Sequence, residues 1–308
     1  MKPFQSIIQF NKHFDTDEKC RLFLEEQRWA GVPTCPHCGS TNVCRFANGK
    51  MFKCRVKDCR KKFTVTVGTV MESSKVPLQK WFLAMYVVFN HSKGISSVQL
   101  CNYIDCCQKT TWFLLHRIRA MSIDRGLDKL SNIVELDETL YGGKNRFRHA
   151  NKKVKHSQGR SQEDKTPVFG LIERGGRLKT RVVKDTKAKT LKPIIKEMVE
   201  NGSIVCTDEY RAYNGLSKDY VHDVVNHRSG EYVKGTTHTN TIEGYWSIFK
   251  RCIYGIYHSV SEKHLQNYCN EITYRYNERH LTQDVRFAQA VSKCAGRLTW
   301  NELVHGEK

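Results

Sequence analysis

The chain has no apolar run long enough to span a bilayer and no lipidation signal. Its opening residues, MKPFQSIIQFNKHF, lack the long apolar core of a secretory leader. Neither a membrane protein nor an exported one is expected. No internal repeat is visible, so nothing points to a repeat architecture. Acids are scarce beside bases: 31 Asp+Glu stand against 51 Lys+Arg, a formal net charge of +20. That imbalance predicts a polyanionic partner, because each cation set on a phosphate releases a condensed counterion. The 13 cysteines, an odd number spread through the chain, suit a reducing compartment and read as thiols or metal ligands, not disulfides.

What is present falls into segments. Residues 1–34 read as a helical lead in which Phe14, Leu22, Phe23 and Trp29 supply apolar anchors. Cys35-Pro36-His37-Cys38 and the later Cys54 and Cys59 are two close thiol pairs separated by a strand-like segment. This pattern predicts a small zinc ribbon over 35–67, with a structural tetrahedral Zn²⁺ on Cys35, Cys38, Cys54 and Cys59. Gly39 permits the tight knuckle turn. The second pair has a wider gap than the first, and Cys44 and His37 stand as alternative ligands that fit the paired geometry less well.

From Leu78 the apolar period becomes helical. Three short helices within 75–125, with a tight middle turn, resemble a helix-turn-helix. Lys109, Thr110 and Thr111 then sit at the start of the third helix, where side chains reach base edges. The plainer alternative is a helical linker packed on the large domain.

The large domain, 132–281, reads as α/β. Its first strand, IVELDETLY, ends in adjacent acids and breaks at Gly142-Gly143. A basic loop follows at 144–165, with Lys144, Arg146, Arg148, Lys152 and Lys153 as candidate phosphate contacts; the bland alternative is a solvated charge run. PVFGLIERGG and RLKTRVVKD read as strands joined at Gly175-Gly176, LKPIIKEMVENG as a helix ending at Gly202, and SIVCTDEY as a strand delivering Asp208. HTNTIEGYWSIFKR reads as a helix carrying Glu243.

Asp137, Asp208 and Glu243 thus stand on two strands and a helix. That distribution suits a two-metal phosphoryl-transfer site, in which one acid bridges the ions and two hold them from either side. Lys250, two helical turns beyond Glu243, would face bound phosphate, with Arg251 on its flank and Asn240 one turn earlier. Asn240-x-x-Glu243 also satisfies a capping-box pattern, which would make Glu243 structural. Asp137 and Glu138 project to opposite faces by strand alternation, so only one shares a face with the metals. A last helix is expected in 282–308.

The ordered motifs CPHCGS, CRVKDCRKKFTVTVGTVME, DETLYGGK, VFGLIERGG, TDEYRAY and HTNTIEGYWSIFKR resemble the zinc-ribbon DDE transposases of bacterial insertion sequences, relatives of the eukaryotic Merlin elements. The resemblance spans roughly residues 20 to 280. It implies an RNase H-like mixed five-stranded sheet flanked by helices, with Asp137, Asp208 and Glu243 as the catalytic metal ligands and Lys250 as the lysine that follows the last acid. It selects Asp137 over Glu138. Some members use an asparagine shortly before the glutamate, so Asn240 stands as the alternative third ligand. The resemblance also implies two Mg²⁺ ions, replaceable by Mn²⁺, and double-stranded DNA partners in terminal inverted repeats and target. A homodimer or larger assembly is expected to pair two ends, in the bacterial cytoplasm at the nucleoid. The alternatives are a nuclease or resolvase that cuts without joining, and a DNA-binding regulator derived from a transposase.

Overall fold

A computed structural model describes residues 3–124, 126, 128–142, 149–154, 165–225 and 238–305, with the backbone alone at Lys152. The chain forms two compact units. One is Met1–Ile123 together with Glu278–Lys308; the other is Asp124–Asn277.

In the first unit, α1 (Ile7–His13) and α2 (Asp17–Trp29) start where Ser6 and Thr16 accept hydrogen bonds from the N–H groups of Gln9 and Lys19. The strands β1 (Val43–Arg45), β2 (Met51–Cys54) and β3 (Lys62–Thr64) form an antiparallel sheet in that order. Its small core is Cys35, Phe52, Cys54 and Phe63, with Trp29 packed against it. Three helices follow: α3 (Leu78–Asn90), α4 (Ser97–Ile104) and α5 (Gln108–Met121). α4 stops at Asp105, which takes the left-handed conformation, and α5 begins after Cys107.

The second unit is built on a mixed five-stranded sheet. β4 (Ile133–Tyr141), β5 (Thr166–Glu173) and β6 (Leu178–Val182) run antiparallel to one another. After α6 (Ala188–Met198), β7 (Ile204–Asp208) pairs parallel to β4, and β8 (Val221–Val225) parallel to β7. The order is β6-β5-β4-β7-β8, so β4 is central. This is the flanked, mixed five-stranded sheet that the resemblance implies. α6 ends earlier than Gly202, because Val199 bridges to Leu130 as an extended residue: the Leu130 N–H donates to the Met198 carbonyl and the Leu130 carbonyl accepts from the Glu200 N–H. α7 (Asn240–Cys252) and α8 (Glu262–Asn277) complete the unit.

Period-two alternation along β4 divides the unit into two cores. Val134 and Leu136 face one layer with Phe169, Leu171, Ile195 and Tyr213. The opposite face packs on α7 and α8 through Val168, Ile172, Ile242, Trp246 and Leu265. Glu135 and Asp137 alternate with Val134 and Leu136 and so face α7.

The edge strand β6 is closed by side chains of α8. Asn277 accepts from the Leu178 N–H and donates to the Leu178 carbonyl, both at 2.9 Å. Gln266 accepts from the Val182 N–H at 2.7 Å and donates to the Thr180 carbonyl at 3.2 Å. These bonds occupy groups that would otherwise pair with another chain.

After α8 the chain rejoins the first unit with α9 (Gln283–Ser292) and α10 (Trp300–His305). Phe287 of α9 is fully buried against Phe4, Phe10, Phe14 and Phe82, which is why this segment packs with the N-terminal helices. Among the described residues no helix is long and apolar enough to cross a membrane. Asn277→Ala strands the N–H and carbonyl of buried Leu178 and is expected to cost about 1–3 kcal/mol. Urea unfolding measures the loss, and faster exchange of the Leu178 amide locates it.

Candidate active site and metal centres

Two groups of metal-ligating side chains stand out, one in each unit. In the ribbon, the sulfurs of Cys35, Cys38, Cys54 and Cys59 all lie within 4.8 Å of one another. Cys35 and Cys59 are 3.8 Å apart and Cys38 and Cys54 3.6 Å. Thiolates held about 2.3 Å from a tetrahedral zinc sit roughly 3.8 Å apart, so the donor set and its spacing both fit Zn²⁺. The alternatives fall away: Cys44 turns its thiol to the Lys53 carbonyl at 3.6 Å, and neither it nor His37 joins the cluster. The wider gap of the second pair is taken up by a turn in which the N–H groups of Cys59 and Arg60 both bond the Val56 carbonyl.

In the second unit, the β4–β7 register puts Glu135 beside Cys206. Two residues further along each strand, Asp137 and Asp208 share that face. Glu243 lies in the first turn of α7, where Thr239 donates its hydroxyl to Oε1 at 2.9 Å. Thr239, not Asn240, holds the capping position, and its side chain caps no backbone N–H. The capping-box reading of Asn240 and Glu243 therefore does not describe this helix. Asn240 is the first helical residue and is exposed.

Burial pushes the Asp137 carboxyl up to about 6, and the neighbouring carboxylates of Asp208 and Glu243 push the same way. The indole N–H of Trp246 opposes them with a bond to Oδ2 at 3.0 Å. Glu138, on the other face, rises to about 8, mainly by burial and then through Asp137 and Asp208. Asp137, Asp208 and Glu243 offer carboxylate oxygens, the ligand type Mg²⁺ and Mn²⁺ take, and a divalent cation would relieve the repulsion. Among the described residues only the cysteines close to within 4.8 Å, so the acids are more widely spread.

Lys250 and Arg251 stand exposed in the last turn of α7. In the first unit, Lys109 is exposed and its ammonium lies 5.3 Å from the centre of the Trp300 ring. Thr110 is half-buried, its hydroxyl 3.1 Å from the Cys107 thiol. Thr111 departs from expectation: it is fully buried, and its hydroxyl bonds back to the Cys107 carbonyl at 3.1 Å, so it packs under the helix and offers nothing to a base edge. Lys153 is exposed. Lys144, Arg146, Arg148 and the Lys152 side chain lie outside the described residues.

Three residues around the acids escaped the sequence reading, and the role of a fourth was incomplete. Trp246 packs in the core against α8 and also donates its indole N–H to Asp137. Gly170 is the register partner of Asp137, and a Cβ there would meet Trp246 at 2.7 Å and Ile242 at 3.0 Å. A lone glycine inside the apolar run VFGLIE was the available signal for close approach of another element. Buried Glu135 forms an ion pair with the partly buried Arg174, Nε to Oε1 at 2.7 Å. Its signal was an acid placed within an apolar strand.

The site and fold define a zinc-ribbon protein with an RNase H-like sheet carrying a carboxylate cluster. The ISXO2-like transposase domain model matches residues 129–277, and the transposase zinc-ribbon domain model matches residues 15–62. A protein in transposable element ISH50 of Halobacterium salinarum is 32% identical over 251 residues, 78% of this chain and 84% of the relative. A transposase-like protein of Haemophilus influenzae is 29% identical over 115 residues, 37% of this chain and 92% of the relative. The crystal structure of a pre-cleavage Mos1 transpososome aligns over 97% of this chain and 100% of that one, at 10% identity, but its TM-score of 0.25 carries no argument. The chain belongs to the insertion-sequence transposases with an ISXO2-like domain and a zinc ribbon.

Two outcomes are expected. Zinc chelation should expose Cys35 and Cys54, now buried, to thiol reagents and abolish amide protection at Phe52 and Phe63, because a ribbon this small has little core without metal. Gly170→Ala should displace the Trp246 indole and destabilise the second unit by about 1–3 kcal/mol, read by denaturant unfolding and a shift in tryptophan fluorescence.

Proposed function

We propose that the chain is a DNA transposase that binds the terminal inverted repeats of its element, cleaves DNA strands there and joins them to a target. The observation that best supports this reading is the gathering of Asp208 and Glu243 around Asp137 on the central strand of the sheet. The family supplies the reaction class; the carboxylates supply a place for it.

In this reading Asp137, Asp208 and Glu243 would hold two Mg²⁺ or Mn²⁺ ions. Such ions, when bound, sharpen the attacking oxygen and neutralise the leaving one in an in-line displacement at phosphorus. The protein's own work is placement. Trp246 holds the Asp137 carboxylate by its indole N–H. The Thr239 hydroxyl orients Glu243. Lys250 contacts the phosphate of the bound strand from the same helix face as Glu243, with Arg251 beside it. Asn240, one turn before Glu243, is the candidate to replace it as third ligand.

The first unit then serves end recognition. The exposed cations Arg55, Lys57, Arg60, Lys61 and Lys62 of the ribbon, with Lys109 and Thr110 at the start of α5, are suited to backbone and base contacts. Lys153 and the basic loop would track phosphate. Two ends must be held together, so a dimer or larger assembly is proposed as the working form.

Asp137→Ala, Asp208→Ala and Glu243→Ala should each lower strand cleavage by on the order of 10³-fold, as loss of about 4 kcal/mol of transition-state stabilisation requires. Binding of end DNA should be retained. The measurement is cleavage of labelled terminal-repeat duplex with Mg²⁺ or Mn²⁺, beside a joining assay with pre-cut ends. Cleavage without joining by the unaltered protein would assign a nuclease instead. Loss in Asn240→Ala with activity kept in Glu243→Ala would move the third role to Asn240.

A further inference from the structure

Helix α7 has no cap of its own. The first N–H groups of a helix find no partner within it, and Thr239 turns its hydroxyl to Glu243 instead of to them. The acceptor comes from the sheet. Glu135, 0% exposed, takes the N–H groups of Thr241 and Ile242 on Oε2 at 2.9 and 3.0 Å. Its Oε1 takes the Thr241 hydroxyl at 2.9 Å and Arg174 Nε at 2.7 Å. Arg174 also donates to the His238 carbonyl at 2.8 Å, and His238 Nδ1 stands 3.2 Å from Glu135 Oε1. One buried carboxylate thus joins the central strand, the end of β5 and the start of α7.

Helix stability alone does not call for this device. A serine or aspartate at position 239 would cap α7 locally, worth about 1 kcal/mol, without burying a charge. A local cap, however, fixes a helix only to itself. Glu135 fixes α7 to β4, two residues from Asp137 and on the same face. The N–H it holds on Ile242 is one residue before Glu243. Because the cap comes from elsewhere, the Thr239 hydroxyl remains available to hold the Glu243 carboxylate.

We propose that Glu135, with Arg174, is a positioning residue that sets the separation of Glu243 from Asp137 before any cation arrives. This rests on the reading of those two acids as metal-holding groups. Glu135 touches neither metal nor DNA; it acts through the placement of α7. Two acids that repel one another need such a tie, since their own interaction drives them apart.

The test uses the full chain. Glu135→Gln keeps the side-chain volume but removes the charge and sets an amide against the donors. Thr241→Val removes a single bond and serves where Glu135→Gln fails to fold. The readouts are amide exchange at Thr241 and Ile242, Mn²⁺ binding followed by electron paramagnetic resonance without DNA, and the Mn²⁺ dependence of strand cleavage. The expected result for Glu135→Gln is faster exchange at both amides and a 10–100-fold weaker Mn²⁺ response in binding and in cleavage, about the size of effect seen for residues supporting metal ligands. Thr241→Val should shift the same way by less, and Arg174→Lys should fall nearer the unaltered protein than Arg174→Gln. Unchanged Mn²⁺ binding and cleavage with lost amide protection would overturn the proposal and leave a plain structural cap. Asp137→Ala separates the two possible failures. Intact cleavage there overturns the reading of the acids and the positioning role with it. Lost cleavage there, beside an unchanged Mn²⁺ response in Glu135→Gln, overturns the positioning role alone.

Discussion

A carboxylate pressed toward two others loses hydration and gains repulsion, and Asp137 bears both costs. The second unit is built to hold that arrangement. Asp137 lies on the central strand of the sheet, where its backbone pairs with Gly170 of β5. Asp208 arrives on the adjacent parallel strand, its backbone paired with Val225 of β8 and its Oδ1 accepting from the Tyr210 N–H at 3.0 Å. Glu243 arrives on a helix, which has no register with the sheet, and needs other ties. Trp246 lying over Gly170, and the bonds from Glu135 into the first turn of α7, are those ties.

The first unit meets a different difficulty. Its three short strands bury only a few side chains, chiefly Phe52 and Phe63 stacked at 5.5 Å with Trp29 against them. A core of that size leaves little net stability after chain entropy is counted. The four clustered thiols offer the compensation, since binding energy for zinc becomes folding energy in so small a ribbon. The helices around it are secured by aromatic packing centred on Phe287, contributed from the far end of the chain.

Much of this was legible in the sequence, for identifiable reasons. The cysteine spacing marked the zinc cluster because metal geometry constrains ligand spacing directly. The five-stranded α/β sheet followed from the ordered motifs and their resemblance, since β-branched runs broken by Gly142 and by Gly175-Gly176 mark strand ends. The acids themselves were visible as strand-end and helix-start carboxylates. The ties between them were not. Glu135 stands two residues from Asp137 in the chain, and only the folded register reveals that it reaches α7, 106 residues away in sequence. Gly170 read as part of a strand, because the indole that needs its bare Cα comes from a distant helix. Thr111 misled for the opposite reason: its position in α5 matched a reading residue, but helical phase turns it into the core.

In the proposed reading Asp137, Asp208 and Glu243 form one metal site. Localised backbone cleavage tests it directly. With Fe²⁺ in place of Mg²⁺, ascorbate and peroxide generate hydroxyl radicals at the bound ion, and these cut the nearest polypeptide. Cuts are expected beside Asp137 on β4, Asp208 on β7 and Glu243 on α7, and excess Mg²⁺ should suppress all three together. Cuts at only one of these places, or cuts that persist in excess Mg²⁺, would contradict a shared site.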